Sequence, residues 1–228
     1  MKLKALAEET GTPVSTVKFY LREGLVPPGE KLNATTSAYG RRHVERLRLI
    51  AVLRQVVGLG LVEVRRVVEA VDTLDPLHLM GTVQAVVLGL PDPPEGEATG
   101  DGTRPASGTD RVSAGQVMDA MDWSGGLPGA VVALDRQLET MAAWGLAPDL
   151  DQVLVYARAV DAVAENELVR GAPWSSGPAA EAPSNDVVAT YTAVGIHAYS
   201  QLLQRLHAVA QGSHARGLGA QMGPGEGI

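Results

Sequence analysis

The sequence predicts an all-α chain with one small hairpin near its amino end. Apolar residues recur at spacings of three and four through most of the chain, the period of helices packed on one side. The second half shows no alternating strand pattern. The stretch with hairpin character is residues 26–39, VPPGEKLNATTSAY, where two prolines, a glycine and a polar centre interrupt the helical period.

The chain has 228 residues, 45% of them apolar, enough to bury a sizeable core and to build two small domains. The predicted organisation is a first domain over 1–72, a connecting helix over 73–90, a linker over 91–112, a second helical domain over 113–216 and a disordered tail over 217–228. There is no cysteine, which excludes disulfides, thiolate zinc sites and thiol switches. No run of eighteen apolar residues occurs and the amino end lacks a signal peptide's apolar core, so a cytoplasmic protein is expected.

In chain order, Leu3 to Glu9 make a short helix with Leu3, Leu6 and Ala7 inward. A turn at Gly11 leads to a second short helix in GTPVSTVKFYLREGLV, residues 11–26. Thr12 offers a capping hydroxyl, Pro13 suits the first helical position and Gly24 suits the end. Val14, Val17 and Leu21 would face inward, leaving Ser15, Thr16, Lys18, Tyr20 and Arg22 to solvent or a partner. Hydroxyls, a lysine, an arginine and a tyrosine, with no carboxylate before Glu23, fit the second helix of a helix-turn-helix entering a DNA major groove. After the 26–39 segment, residues 41–57 read as a helix on Val44, Leu47, Ile50, Ala51, Leu53 and Val57. Gly58 and Gly60 break it, and Leu61 to Val71 resume the period.

Leu77, Met80, Val83, Val87 and Leu90 outline a further helix after Asp75-Pro76. Residues 91–112 hold little that could be buried and read as a flexible linker. Ser113 with Gln116 forms a capping-box pattern, and helices follow over about 128–144 and 150–169. A loop over 173–183 precedes a long last helix from Asp186 to about His214. Its apolar stripe is Val187, Tyr191, Val194, Ala198, Leu202, Leu206 and Val209. This half reads as a helical bundle.

TVKFYLREGLV, followed in order by GLGLVEVRRVVEA, resembles the MerR family of bacterial transcription regulators over roughly residues 3–72. The resemblance implies a winged helix-turn-helix that binds double-stranded DNA as a homodimer on a pseudo-palindromic operator. It also implies a long antiparallel dimerisation helix after that domain, and bending and untwisting of an over-long promoter spacer so that RNA polymerase engages both elements. It casts residues 26–39 as the wing, with Ser37 and Ala38 where the family usually has arginines, so Lys31, Arg41 and Arg42 would supply the charge there, beside Tyr39. Where the family commonly caps the 61–71 helix with serine, this chain has Gly60.

The net charge of −7 conceals a division. Residues 1–72 carry twelve lysines and arginines against eight acids, a balance of +4; the remainder carries seven against eighteen, a balance of −11. The basic part holds the candidate reading helix. There, Lys18, Tyr20 and Thr16 are assigned to phosphates, with Ser15 and Thr12 near base edges and Arg22 alongside.

Six of the eight Trp and Tyr rings lie beyond that domain: Trp123, Trp144, Tyr156, Trp174, Tyr191 and Tyr199. Around one cavity, with His197 or Tyr191 as a polar anchor, they would suit a small hydrophobic ligand. As ordinary bundle residues they would only pack. Catalysis is not expected: there is no phosphate-binding glycine loop, no HExxH and no GxSxG, and Asp119/Asp122 and Glu165/Glu167 read as solvated faces. No cofactor or metal is called for. The two functions left are a ligand-sensing DNA-binding regulator and a ligand-independent architectural or protein-interaction module whose acidic bundle dimerises or binds a partner.

Overall fold

A computed structural model describes residues 1–33, 36–91, 111–124, 127–170 and 182–221. The described residues are helical apart from turns and one two-stranded antiparallel hairpin. The chain divides into two compact units, Met1–Val68 with Ala189–Ile228, and Glu69–Val188. The last helix, read from the sequence with the second bundle, is thus grouped from Ala189 onward with the amino-terminal unit.

In the first unit α1 (Leu3–Thr10) ends at Gly11, whose φ of 62° is the left-handed conformation a glycine adopts without Cβ cost. Helix α2 (Val14–Arg22) follows and ends where expected, with Gly24 at φ 71° and the amides of Leu25 and Val26 bonded back to the Tyr20 carbonyl. Strands β1 (Glu30–Lys31) and β2 (Ser37–Ala38) pair Glu30 with Ala38 and Lys31 with Ser37. Gly29 makes this hairpin possible, because a Cβ there would come within 2.8 Å of the Ala38 carbonyl and the Tyr39 ring.

The helix read over 41–57 is α3 (Arg41–Ala51) continued by a π-helical segment, Val52–Val57. The wider winding closes at Gly58, φ 86°, with the Leu59 amide donating to the Leu53 carbonyl at 2.9 Å. Val44, Leu47, Ile50 and Leu53 are buried as the period predicts, and so are Leu49 and Arg46. Helix α4 (Leu61–Thr73) buries Val64, Val67, Val68, Ala70 and Val71.

In the second unit Asp75 caps α5 (Pro76–Val87), its Oδ1 accepting from the amides of Leu77 and His78. The buried face of α5 is Leu79, Val83 and Val86, whereas Leu77 is 75% exposed, a rotation away from the predicted stripe. PLHLMGTVQAVV is apolar on most sides, so its period could not choose a face; the neighbours choose, and Gly81 lies against Leu127. Asn185 closes the end of α4 by donating to the carbonyls of Val71 and Leu74 at 3.0 and 2.9 Å.

Helix α6 (Ala114–Met121) opens with the predicted Ser113–Gln116 capping box. With α7 (Pro128–Ala143) and α8 (Leu150–Arg170) it surrounds a core of Val112, Val117, Leu138, Leu154 and Ala157. Helix α9 (Asn185–Gln221) buries Val188, Ala189 and Ala193, while Tyr191, Val194, Leu202, Leu206 and Val209 of its predicted inner stripe are exposed. Among the described residues no helix is long and apolar enough to cross a membrane.

Candidate nucleic-acid interface

The reading helix is held from three sides. Thr12 and Gly11 turn the chain after α1, with the Thr12 amide bonded to the Ala7 carbonyl at 3.0 Å. Val17, on the inner side of α2, is fully buried. Beyond the helix, buried Arg46 donates to the Leu25 carbonyl at 3.3 Å, and Arg65 of α4 donates to the Glu23 carbonyl at 2.9 Å and pairs with its carboxylate at 3.5 Å. A cation at the carboxyl end of α2 also complements the helix dipole. Neither arginine stood out in the sequence as a positioning residue, because both act on residues 21 or more positions away.

Two expectations about α2 need correction. Thr12 does not cap the helix: Pro13 occupies the capping position, and the Thr12 hydroxyl turns back to the Thr10 carbonyl at 3.4 Å. With φ −54° and ψ 141°, Pro13 sits outside the helix, so its rigid φ starts α2 one residue later than predicted and no side chain covers the first-turn amides. Val14 consequently points outward and is exposed rather than packed.

The face left open carries Ser15 and Lys18, both exposed, with Thr16 and Tyr20 half-buried. Ser15, Thr16 and Tyr20, with Phe19 and Arg54, line a shallow groove of about 430 Å³. Thr12, Thr16, Tyr20, Arg54 and Gln55 border a smaller hollow of about 220 Å³ beside it. Arg54 is the residue the sequence reading missed. It lies on the π-helical segment, and its Nη1 is fixed by the Leu59 carbonyl at 2.6 Å. Only the folding of that segment against α2 brings its charge to the groove. Arg22 lies over the Phe19 ring, 5.3 Å from its centroid, and its Nε is 3.5 Å from Glu23. The acid nearest this face is thereby engaged by two arginines, Arg22 and Arg65.

On the hairpin Lys31 is exposed, and Leu32 and Asn33 both donate to the Thr36 carbonyl. Tyr39 is anchored by backbone bonds to Met1 in both directions and by an edge contact with His43, ring centroids 5.1 Å apart. His43 in turn accepts from the Gly40 amide at 3.0 Å, which starts α3. Arg41 is paired with Glu45 at 2.6 Å, and Arg42 is exposed beside it.

The rings proposed for a ligand are divided between the two units, and each is described within its own. Trp123 packs on the second unit's core with its Nε1 donating to Asp161 at 2.7 Å, and with Met118, Val131 and Leu134 it lines an open cavity of about 510 Å³. Trp144 and Tyr156 are exposed positions of the same unit. Tyr191 and Tyr199, both exposed, and His197, bonded to Gln201 at 2.8 Å, belong to the other unit. Trp174 lies outside the described residues. No group of three or more metal-ligating side chains occurs among the described residues.

Two short helices at a tight turn, the second presented outward, and a hairpin beside them define a winged helix-turn-helix. The family described as MerR HTH family regulatory protein matches residues 1–71, and this segment is a MerR-family helix-turn-helix domain. The HTH-type transcriptional regulator ZntR homolog of Haemophilus influenzae is 34% identical over 56 residues, which are 25% of this chain and 42% of that protein. The chain therefore matches less than half the length of that relative. The crystal structure of a candidate transcriptional regulator from Streptomyces coelicolor A3(2) superposes with a TM-score of 0.55 over 94% of this chain and 96% of its own. At 24% identity that likeness is one of fold.

Proposed function

We propose that the protein is a non-enzymatic, cytoplasmic regulator of transcription that binds double-stranded DNA as a homodimer on a pseudo-palindromic promoter operator. The observation that carries this reading is the outward face of α2, where exposed Lys18 stands beside a groove edged by Ser15, Thr16, Tyr20 and Arg54 while Glu23 is held by arginines. Lys18, Thr16, Tyr20 and the uncapped first-turn amides suit phosphate oxygens, and Ser15 suits a base edge. Hydroxyls discriminate bases weakly, so sequence preference would rest largely on how easily the DNA deforms. That agrees with a promoter-distorting mode in which polymerase responds to DNA shape. Lys31, Tyr39, Arg41 and Arg42 would flank the contact, with the charge of Arg41 lessened by Glu45.

The test is a salt titration of operator binding. Lys18→Ala should weaken binding to all sequences alike and reduce the slope of log affinity against log salt by about one. An unchanged slope would remove α2 from the interface.

Ligand modulation is supported by the Trp123 cavity. A hydrophobic compound would regulate only by binding two conformations unequally. The exposed apolar residues of α8 and α9 favour the second reading, in which the helical regions serve self-association or a protein partner without a ligand.

A further inference from the structure

The open cavity of about 510 Å³ at α6 and α7 is apolar except at Asp122 and Ser124, and none of its described lining residues is basic. Its volume suits a drug-sized molecule. Asp122 ends α6 at φ 54° and ψ 34°, the one non-glycine residue at positive φ among the described residues; Gly11, Gly24, Gly58, Gly89 and Gly145 hold the others. That conformation accepts Gly or Asn at least as well as Asp, and an anion there faces the negative end of the α6 dipole. The backbone therefore accounts for a short side chain at this place and not for its charge. Among the described residues the Asp122 carboxylate has no hydrogen-bond or ion-pair partner, and it borders the cavity.

We propose that this cavity binds a hydrophobic monocation, an amine or quaternary ammonium carried on an aromatic or branched apolar group, with Asp122 as its counter-charge and Trp123 as the ring it lies against. The assignment rests on the ligand-sensing reading above and adds to it the class of compound.

Two further observations select a cation. Trp123 donates its indole N–H to Asp161 at 2.7 Å, so the ring is held and has no donor left for a ligand. What remains is its π surface, and indole is the aromatic side chain that attracts cations best. Among the described lining side chains, a ligand needing donors would have Ser124 alone, and an anion would meet Asp122 as a like charge. The second observation is the charge of the unit Glu69–Val188, nineteen acids against five arginines and no lysine, a balance of −14. Its field concentrates cations and repels anions. The apolar rest of the lining rejects small hydrated ions, which would lose water there without replacement.

Equilibrium dialysis of the full chain against three naphthalene probes of similar shape tests the assignment: naphthylmethyl-trimethylammonium, its neutral carbon isostere neopentylnaphthalene, and the anion naphthylacetate. The cation should bind, the isostere roughly tenfold more weakly and the anion not measurably. Asp122→Asn keeps the left-handed turn and should weaken the cation about fivefold, leaving the isostere unchanged. Its thermal stability should be equal or higher, because Asn suits that cap and removes the clash with the dipole. Asp119→Asn, exposed on the same helix and outside the lining, should alter neither affinity. Ala130→Trp, at an exposed lining position, should fill the cavity and abolish binding of both cation and isostere. Equal binding of cation and isostere, or an Asp122→Asn protein that binds the cation as tightly as the wild type, overturns the cation assignment and leaves the ligand reading standing. Binding that persists in Ala130→Trp puts the site elsewhere and overturns the assignment too. No binding by any probe removes the ligand reading of the cavity together with it.

Discussion

Helices α2 and α9 were read from the sequence by the same rule, which held for the middle of one and failed along most of the other. In α2 the period put Val14, Val17 and Leu21 inside: Val17 is fully buried, Leu21 is half-buried, and only Val14, at the shifted helix start, is exposed. In α9 the same period put Tyr191, Leu202, Leu206 and Val209 inside, and all are exposed, while the small Ala189 and Ala193 are buried. The difference lies in what clamps each helix. α2 spans 9 residues between Gly11 and Gly24, with α1 just before it and the hairpin just after, and Arg46 of α3 bonded to the Leu25 carbonyl. α9 spans 37 residues, and most of its apolar stripe meets nothing among the described residues that would choose a face.

The largest effect that would sharpen this contrast is at Arg46. Arg46→Ala removes a buried cation's side chain and strands the Leu25 carbonyl, so urea denaturation should show a loss on the order of 3 kcal/mol together with weaker DNA binding as the end of α2 loosens. A change within ordinary surface values would mean that α2 is held by its local signals alone. Next comes the inverted helix. Ala193→Leu should cost about 2 kcal/mol by overpacking, whereas Ala198→Leu, at an exposed position of the predicted inner stripe, should be close to neutral in the same measurement. If the costs were reversed, the sequence-read face of α9 would be the packed one after all.

A smaller effect is expected at the turn closing α2. Gly24→Ala places a Cβ at φ 71° with open space around it, so only conformational strain is added, about 1 kcal/mol of lost thermal stability. The smallest concerns Asp75. Its hydrogen bond with the His78 side chain, at 2.6 Å, holds its carboxyl below the ordinary carboxylate value, helped by the His78 amide. A depressed folded pKa gives stability that is present above the unfolded value near ~3.9 and lost as pH falls through the folded one. Asp75→Asn should flatten the acid limb of a stability–pH curve slightly, and an identical limb in both proteins would show that this cap does not matter.

The candidate site was legible in unequal parts. Lys18, Ser15 and Tyr20 could be found because a short helix bounded by glycines has few ways to present its side chains. Arg54 and Arg65 could not, since one reaches the groove through a π-helical winding and the other meets Glu23 from another helix. Thr12 failed as a cap because Pro13's fixed φ shifted the helix start. The rings from Trp123 to Tyr199 were grouped by composition, which carries no distance.

By itself the sequence determined which segments are helical and, to within a residue or so, where most of them start, that a hairpin follows α2, and that the amino-terminal third is basic, because caps, glycine turns and charge counts act over a few residues. The tertiary structure alone decided which side of α5 and of α9 is covered, that Arg46 is buried, and that Ala189 onward joins the DNA-binding unit. Those outcomes depend on free energies of burial between segments far apart in the chain, and a periodic pattern records the existence of such a partner without identifying it.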